Sequence, residues 1–179
     1  MSAAFASLAS SAAEIEVETY VEATRELLPL LKSLGVAMRV AARELERNAG
    51  RLEEAGREYS TVGGMLIGER STQKRGTIEL VWIQRADRFV AAMLSGVVRD
   101  GNELPKAAAT AYAATLAPHH SWAVACAFRL GLRALPSTKD LMLQLGSGNH
   151  TEGCRRATSL MANIEKVCAR VDVLLAAPR

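Results

Sequence analysis

Apolar residues recur along this chain at the spacing of one helix face, and almost nowhere with the strict alternation of a half-buried strand. Over residues 18–33 they fall at Tyr20, Ala23, Leu27, Leu28, Leu30 and Leu31. Pro29 lies inside that stretch and predicts a kink or break, because it lacks an N–H and its ring crowds the preceding turn. Gly35 is a joint, a second helix runs over 36–54, and Gly56 just beyond it is a C-terminal signal. Residues 59–68 form a short segment interrupted by glycine, and the polar run 71–76 reads as a loop or first turn. The longest clean pattern covers 77–98, with Leu80, Val81, Ile83, Phe89, Val90, Met93, Leu94 and Val97. Asp100-Gly101 marks a turn, and an alanine-rich helix follows over 104–116. Pro118 opens a helix over 119–134 and Pro136 ends it. Ser137 can cap a helix over 138–145, and after Gly146-Ser147-Gly148 an amphipathic helix runs over 151–175.

Seven or eight helices with short joints and no internal repeat must each bury one stripe, so they stack in layers. The expectation is an all-α fold in one domain over residues 15–179, preceded by a frayed Ala/Ser-rich tail over 1–14. The 179 residues are 49% hydrophobic and 23% charged, an ordinary globular balance. A net charge of +3 with both signs interspersed gives no reason to expect nucleic acid, and allows only a weak pull toward an anionic membrane. No apolar run reaches transmembrane length, and the N-terminus lacks a basic segment and long apolar stretch, so the expected location is cytoplasmic. Cys126, Cys154 and Cys168 have no paired spacing and read as small apolar side chains.

Three polar constellations stand out. Glu44, Asn48 and Arg51 lie at i, i+4, i+7, within one narrow helical stripe that continues through Ala41 and Ala37. They could line the mouth of a pocket, or form a solvated charged face among Arg43, Glu46, Arg47 and Glu53. Ile78, Trp82 and Arg85 repeat that spacing. The indole could stack on a sugar ring or simply pack in the core, and Arg85 could reach a polar headgroup or snorkel. His119-His120-Ser121-Trp122 offers two histidines without a spaced third metal ligand, and from the residues alone reads as a structural helix start. No acid–base pair, nucleophile elbow or metal cluster marks an enzyme.

Some of these residues also fall into a known arrangement. Ala111-Tyr112, then Leu116-Ala117-Pro118-His119-His120-Ser121-Trp122-Ala123-Val124, then Ala134-Leu135-Pro136, resembles the signature of the glycolipid transfer protein family. Leu80-Val81-Trp82-Ile83-Gln84-Arg85 resembles that family's tryptophan-bearing helix, and Leu28-Pro29-Leu30 with Leu34-Gly35 its first helix and joint. The likeness spans about residues 17–174. It implies a two-layer all-α sandwich holding one sphingolipid, with the headgroup at a surface site and the ceramide chains in an apolar tunnel. It implies no cofactor, no metal and no catalysis, a monomer, and a transient membrane partner. His120 matches the histidine that bonds the ceramide amide carbonyl, and Trp82 the platform under the first sugar. Glu44, Asn48 and Arg51 match an aspartate, an asparagine and a lysine. The aspartate bonds the ceramide amide N–H and a sugar hydroxyl, and Glu44 is one methylene longer.

A second branch of the family carries ceramide phosphate. It places arginines at the positions of Ile78 and Trp82 and tends to replace the asparagine with lysine. The recognition positions here therefore imply a sugar headgroup. The Ala-Pro-His-His-x-Trp wording looks more like the plant ceramide-phosphate carriers. A ceramide-phosphate carrier, a lipid sensor and a helical interaction module of the same fold are the alternatives.

Overall fold

Residues 3–70 and 75–177 are described by a computed structural model, and among them the backbone forms ten α-helices joined by short links. In chain order these are α1 (Ala3–Ser10), α2 (Val17–Glu26), α3 (Leu28–Ser33), α4 (Val36–Gly56), α5 (Val62–Gly68), α6 (Arg75–Val98), α7 (Leu104–Thr115), α8 (Trp122–Leu132), α9 (Thr138–Leu145) and α10 (His150–Ala176). A 3-10 turn, Ala117–His119, precedes α8. Extended pairing among the described residues amounts to one isolated bridge between Glu16 and Thr61. There the Val17 N–H donates to the Ser60 carbonyl at 3.0 Å and the Val62 N–H to the Ile15 carbonyl at 2.8 Å. The fold is all-α, a two-layer helical sandwich in one domain.

Helix α6 sits where α4, α7 and α10 meet. Its stripe Leu80, Ile83, Val90 and Leu94 is buried, as the helical spacing requires. Pro29 breaks the first helical run two residues upstream of itself. Leu27 separates α2 from α3, and Pro29 occupies the first turn of α3, where its missing N–H has no intrahelical partner to lose. Gly35 takes φ 103°, the left-handed region that glycine enters without strain, and turns the chain into α4. Helix α8 lies close on the start of α4 because Gly131 has no side chain. A Cβ there would stand 2.2 Å from that of Ala37.

Three expectations change. Residues 3–10 are not a frayed tail: α1 packs on α2 and α10, with Phe5 0% and Leu8 5% exposed. Two such side chains contribute about 1.5–3 kcal/mol each, enough to fix a short helix whose other residues are small. Pro118 opens the 3-10 turn rather than the long helix, and Ser121 caps α8 through its hydroxyl. Of the three free cysteines Cys168 is buried, Cys154 half-buried and Cys126 exposed. The 71–76 expectation falls partly outside the described residues, and Arg75 and Gly76 already belong to α6.

Asp87 occupies the apolar stripe of α6 and is fully buried. The Tyr20 hydroxyl donates to its Oδ2 at 2.7 Å, while Oδ1 has no hydrogen-bond partner among the described residues. Burial pushes its carboxyl up to about 7, and the Tyr20 bond opposes this in part. The same burial, and then the nearby Asp87, raise Tyr20 well above the usual phenol range. A carboxyl that is harder to ionise folded than unfolded is harmless below the ordinary value of 3.8 and destabilises as the pH rises toward about 7. The expected loss between about pH 5 and about pH 8 is on the order of 3 kcal/mol, which lowers the melting temperature by roughly 5–10 °C. Asp87→Asn should flatten that difference in thermal melts followed by circular dichroism. An equal drop in the variant would assign the pH dependence to other groups.

Candidate functional site

Trp82 lies on the one stripe of α6 that neighbouring helices leave open, with exposed Ile78 one turn before it and half-buried Arg85 one turn after. The Arg85 guanidinium sits over the indole, its Cζ 4.9 Å from the ring centroid. That is within cation–π range. The 3-10 turn ends at His119, and His120 then takes extended dihedrals, φ −95° and ψ 146°, before Ser121 starts α8. This short link lays the His120 imidazole against Trp82, with centroids 6.0 Å apart and planes at 22°. His119 meets the indole edge-on at 6.4 Å.

Behind His120 the site is aromatic. The Tyr112 hydroxyl lies 2.8 Å from His120 Nδ1. Phe128 from α8 stacks on Tyr112 at 4.5 Å and 18°, and Phe89 meets Phe128 edge-on at 6.1 Å. Trp82, Phe89, Tyr112 and Phe128 are four of the eight Phe, Trp and Tyr residues in the chain, so its scarce aromatic surface is concentrated here. Burial, and then the charge on His119, hold His120 below its ordinary pKa, which favours a neutral ring. Burial raises the Tyr112 phenol, which keeps its proton. A phenol donating to Nδ1 places the ring proton on Nε2, where His120 would present an N–H donor; the other tautomer would donate from Nδ1 to the phenol oxygen.

Helix α4 supplies the opposite wall. Arg51 Nη1 donates to Glu79 Oε1 across the α4–α6 seam at 3.2 Å. Asn48, one turn earlier on the same stripe, is half-buried, and its amide makes no hydrogen bond among the described residues. Glu44 departs from the group. Its side chain is 57% exposed and its carboxylate pairs with Arg47 on its own helix. Of the six residues singled out in the sequence, Trp82, Arg85 and His120 are in contact. Arg51 pairs with Glu79 on the helix that carries Trp82, Asn48 lies one turn before Arg51 on its stripe, and Glu44 pairs outward with Arg47. Sequence reasoning gave no role to Tyr112, Phe128 or Glu79. Glu79 borders the Trp82 stripe at i−3, a visible signal, but an acid on an amphipathic helix reads first as solvated. Among the described residues no three His, Cys, Asp or Glu side chains are grouped to hold a metal ion.

A sequence model of the family described as Glycolipid transfer protein (GLTP) matches residues 15–147. Human pleckstrin homology domain-containing family A member 8 is 26% identical over 178 residues, covering 89% of this chain and 34% of that protein. The chain thus spans about a third of the length of the first curated relatives it matches. Accelerated cell death 11 of Arabidopsis thaliana is 30% identical over 156 residues, 81% of this chain and 76% of that protein. A crystal structure of a mutant of it, complexed with C12 ceramide-1-phosphate, matches with a TM-score of 0.87 at 25% identity, covering 97% of this chain and 92% of that one. The fungal glycolipid transfer protein HET-C2 has the same fold, with a TM-score of 0.85 at 21% identity and coverage of 92% and 87%.

The tautomer is open to direct measurement. Nitrogen-15 NMR at neutral pH should show His120 neutral with its proton on Nε2, titrating below the ordinary histidine range. Tyr112→Phe should erase the tautomer preference. A His120 that is protonated at neutral pH would contradict the burial of its ring.

Proposed function

The chain belongs to the glycolipid transfer protein family, whose members carry lipids without catalysis, and we propose that it binds a glycosylated ceramide and moves it between membranes. The observation that carries this reading is the Trp82 ring, flanked by His120 and Arg85. A flat indole suits the apolar face of a sugar. A phosphate wants bidentate, charge-assisted donors, and an indole at Trp82 and an aliphatic side chain at Ile78 supply none. In this reading Nε2–H of His120 donates to the ceramide carbonyl, and Asn48 and Arg85 meet headgroup oxygens, while Arg51 stays with Glu79. Glu44 accepts the amide N–H by exchanging Arg47 for it. That surface pair is worth about 0–1 kcal/mol, so the exchange is cheap beside a buried amide left unpaired, at about 1–3 kcal/mol.

The ceramide chains would occupy the apolar interior between the helical layers. About thirty methylenes at roughly 0.8 kcal/mol each would cost on the order of 25 kcal/mol in water, which is why a carrier is needed at all. A membrane contact is supported by the face beside the site. Trp122 is 82% exposed, and Val124 and Leu130 on the same helix are exposed with it. Helix α4, which α8 abuts at Gly131, adds exposed Val36 and Val40. Apolar side chains gathered in this way mark an interaction surface, and tryptophan favours the membrane–water interface. Arg39 and Arg43 on α4, Arg129 on α8 and Arg133 just beyond its end suit anionic headgroups.

One comparison favours a second reading, ceramide phosphate, because the Arabidopsis relative is crystallised with that lipid. A vesicle-to-vesicle assay with fluorescent glucosylceramide and ceramide phosphate in parallel separates the two. The sugar lipid should move faster, and Trp82→Ala should weaken its binding by about tenfold, the scale of one lost stacking contact. Faster transfer of the phosphate lipid would select the second reading, and transfer of neither would leave a helical module. In the same assay Glu44→Ala should lose about tenfold in affinity and Glu44→Asp should not. Equal affinities for all three would remove Glu44 from the site. Trp122→Ala should slow transfer without weakening binding to lipid in detergent. Unchanged transfer would place the membrane contact elsewhere.

A further inference from the structure

We propose that Glu79 sets headgroup choice by holding the charge of Arg51 away from a phosphate, an inference that rests on the sphingolipid reading above. Glu79 lies one turn before Trp82 on α6 and is 5% exposed. A carboxylate so far out of water needs a cation. Arg51 supplies it at 3.2 Å, and the burial is uneven, with the acid side chain 7% and the arginine 49% exposed. The acid is therefore inside, and the arginine lies over it with half its surface turned outward.

This geometry makes Arg51 a poor phosphate ligand despite its charge. Swinging toward a lipid would strand the Glu79 carboxylate, and a buried charge left alone costs more than one charge-assisted phosphate contact returns. The other charges near the mouth do not compensate. Glu44 and Arg47 satisfy each other. His120 is held neutral by burial and by His119. Arg85 lies over the indole and has no carboxylate partner among the described residues. With Arg51 engaged, a phosphate monoester carrying about −1.5 to −2 charge would meet Arg85 over the indole and Arg129, whose charge reaches Tyr112, as cations without a carboxylate partner among the described residues. Glu79 also carries a second oxygen, Oε2, that makes no hydrogen bond among the described residues. An anionic acceptor beside Trp82 suits a sugar hydroxyl and repels a phosphate.

The test uses the full chain and displacement of a fluorescent lipid by glucosylceramide and by ceramide phosphate, each in detergent micelles. Glu79→Gln keeps the shape of the side chain and releases Arg51. It should tighten ceramide phosphate about tenfold relative to glucosylceramide, the scale of one charge-assisted contact. The double variant Glu79→Gln/Arg51→Gln removes the released cation and should return the ratio to within about twofold of the native one. Glu79→Met, an apolar side chain of similar length, covers the case in which Glu79→Gln does not fold. It releases the same cation and should also tighten ceramide phosphate about tenfold relative to glucosylceramide. An unchanged ratio in either folded variant would overturn the role of Glu79. If Trp82→Ala still weakens glucosylceramide binding about tenfold in that case, the sphingolipid site stands without the selectivity device. Native protein that binds neither lipid would overturn both.

Discussion

Helix α6 is covered by α4, α7 and α10 at once, so each polar residue it carries must find a partner or a way out. The solutions differ along its length. At its first turn Glu69 accepts from the Gly76 and Thr77 N–H groups at 3.0 and 2.7 Å, satisfying donors that a helix start leaves open. Glu79 takes Arg51 from α4. Gln84 donates to the Cys168 carbonyl and to Asp172 on α10, and Arg88 pairs with the same aspartate. Among the described residues Asp87 has only Tyr20 for its two oxygens. Trp82 and Arg85 occupy the remaining strip, and there the helix faces outward. The position of the candidate site thus follows from packing: it is where α6 runs out of neighbours.

The same constraint explains what could be read in the sequence. Helical spacing located the long elements within a few residues because apolar stripes survive any detail of packing. The break at Leu27 was legible through Pro29, though two residues downstream of where it occurs. Helix α1 was not legible, since two apolar side chains among alanines and serines give no period, and only the groove between α2 and α10 makes them count. The turn at Pro118 hid the true start of α8, because a proline opens a 3-10 turn and an α-helix with the same signal. Asp87 could have been noticed: it stands at i+7 from Leu80 and i+4 from Ile83, in a stripe otherwise apolar.

The site was half legible. Trp82 and His120 were placed by their likeness to a known signature, and their 6.0 Å stack agrees with that grouping. Helical spacing put Glu44, Asn48 and Arg51 on one stripe, but spacing fixes only where a Cβ points. It does not say which competing charge a flexible side chain will choose. Arg47 lies at i+3 from Glu44, a partner visible in the sequence and close enough to take the carboxylate outward. Arg51 met the opposite fate, drawn inward by an acid 28 positions away that no local pattern could reveal.

On the proposed reading, two tryptophans divide the work on either side of one short link. Trp82 lies under His120, where a headgroup would rest, and Trp122 projects outward two residues after it. The ceramide chains of a bound lipid provide nearly all of its drive to leave water, and they are the same whatever the headgroup. Discrimination must therefore come from the few polar groups at the mouth, where one contact is worth only a factor of about ten. Charge is the blunt instrument available there. A mouth with free cations would favour phosphate and would also adhere to any anionic membrane it met. Pairing Arg51 at the mouth, while leaving arginines on the exposed α4 and α8 surfaces without a carboxylate partner among the described residues, separates the two tasks. The membrane can then be met through Trp122 and basic side chains, and the headgroup judged by Trp82, His120 and Asn48.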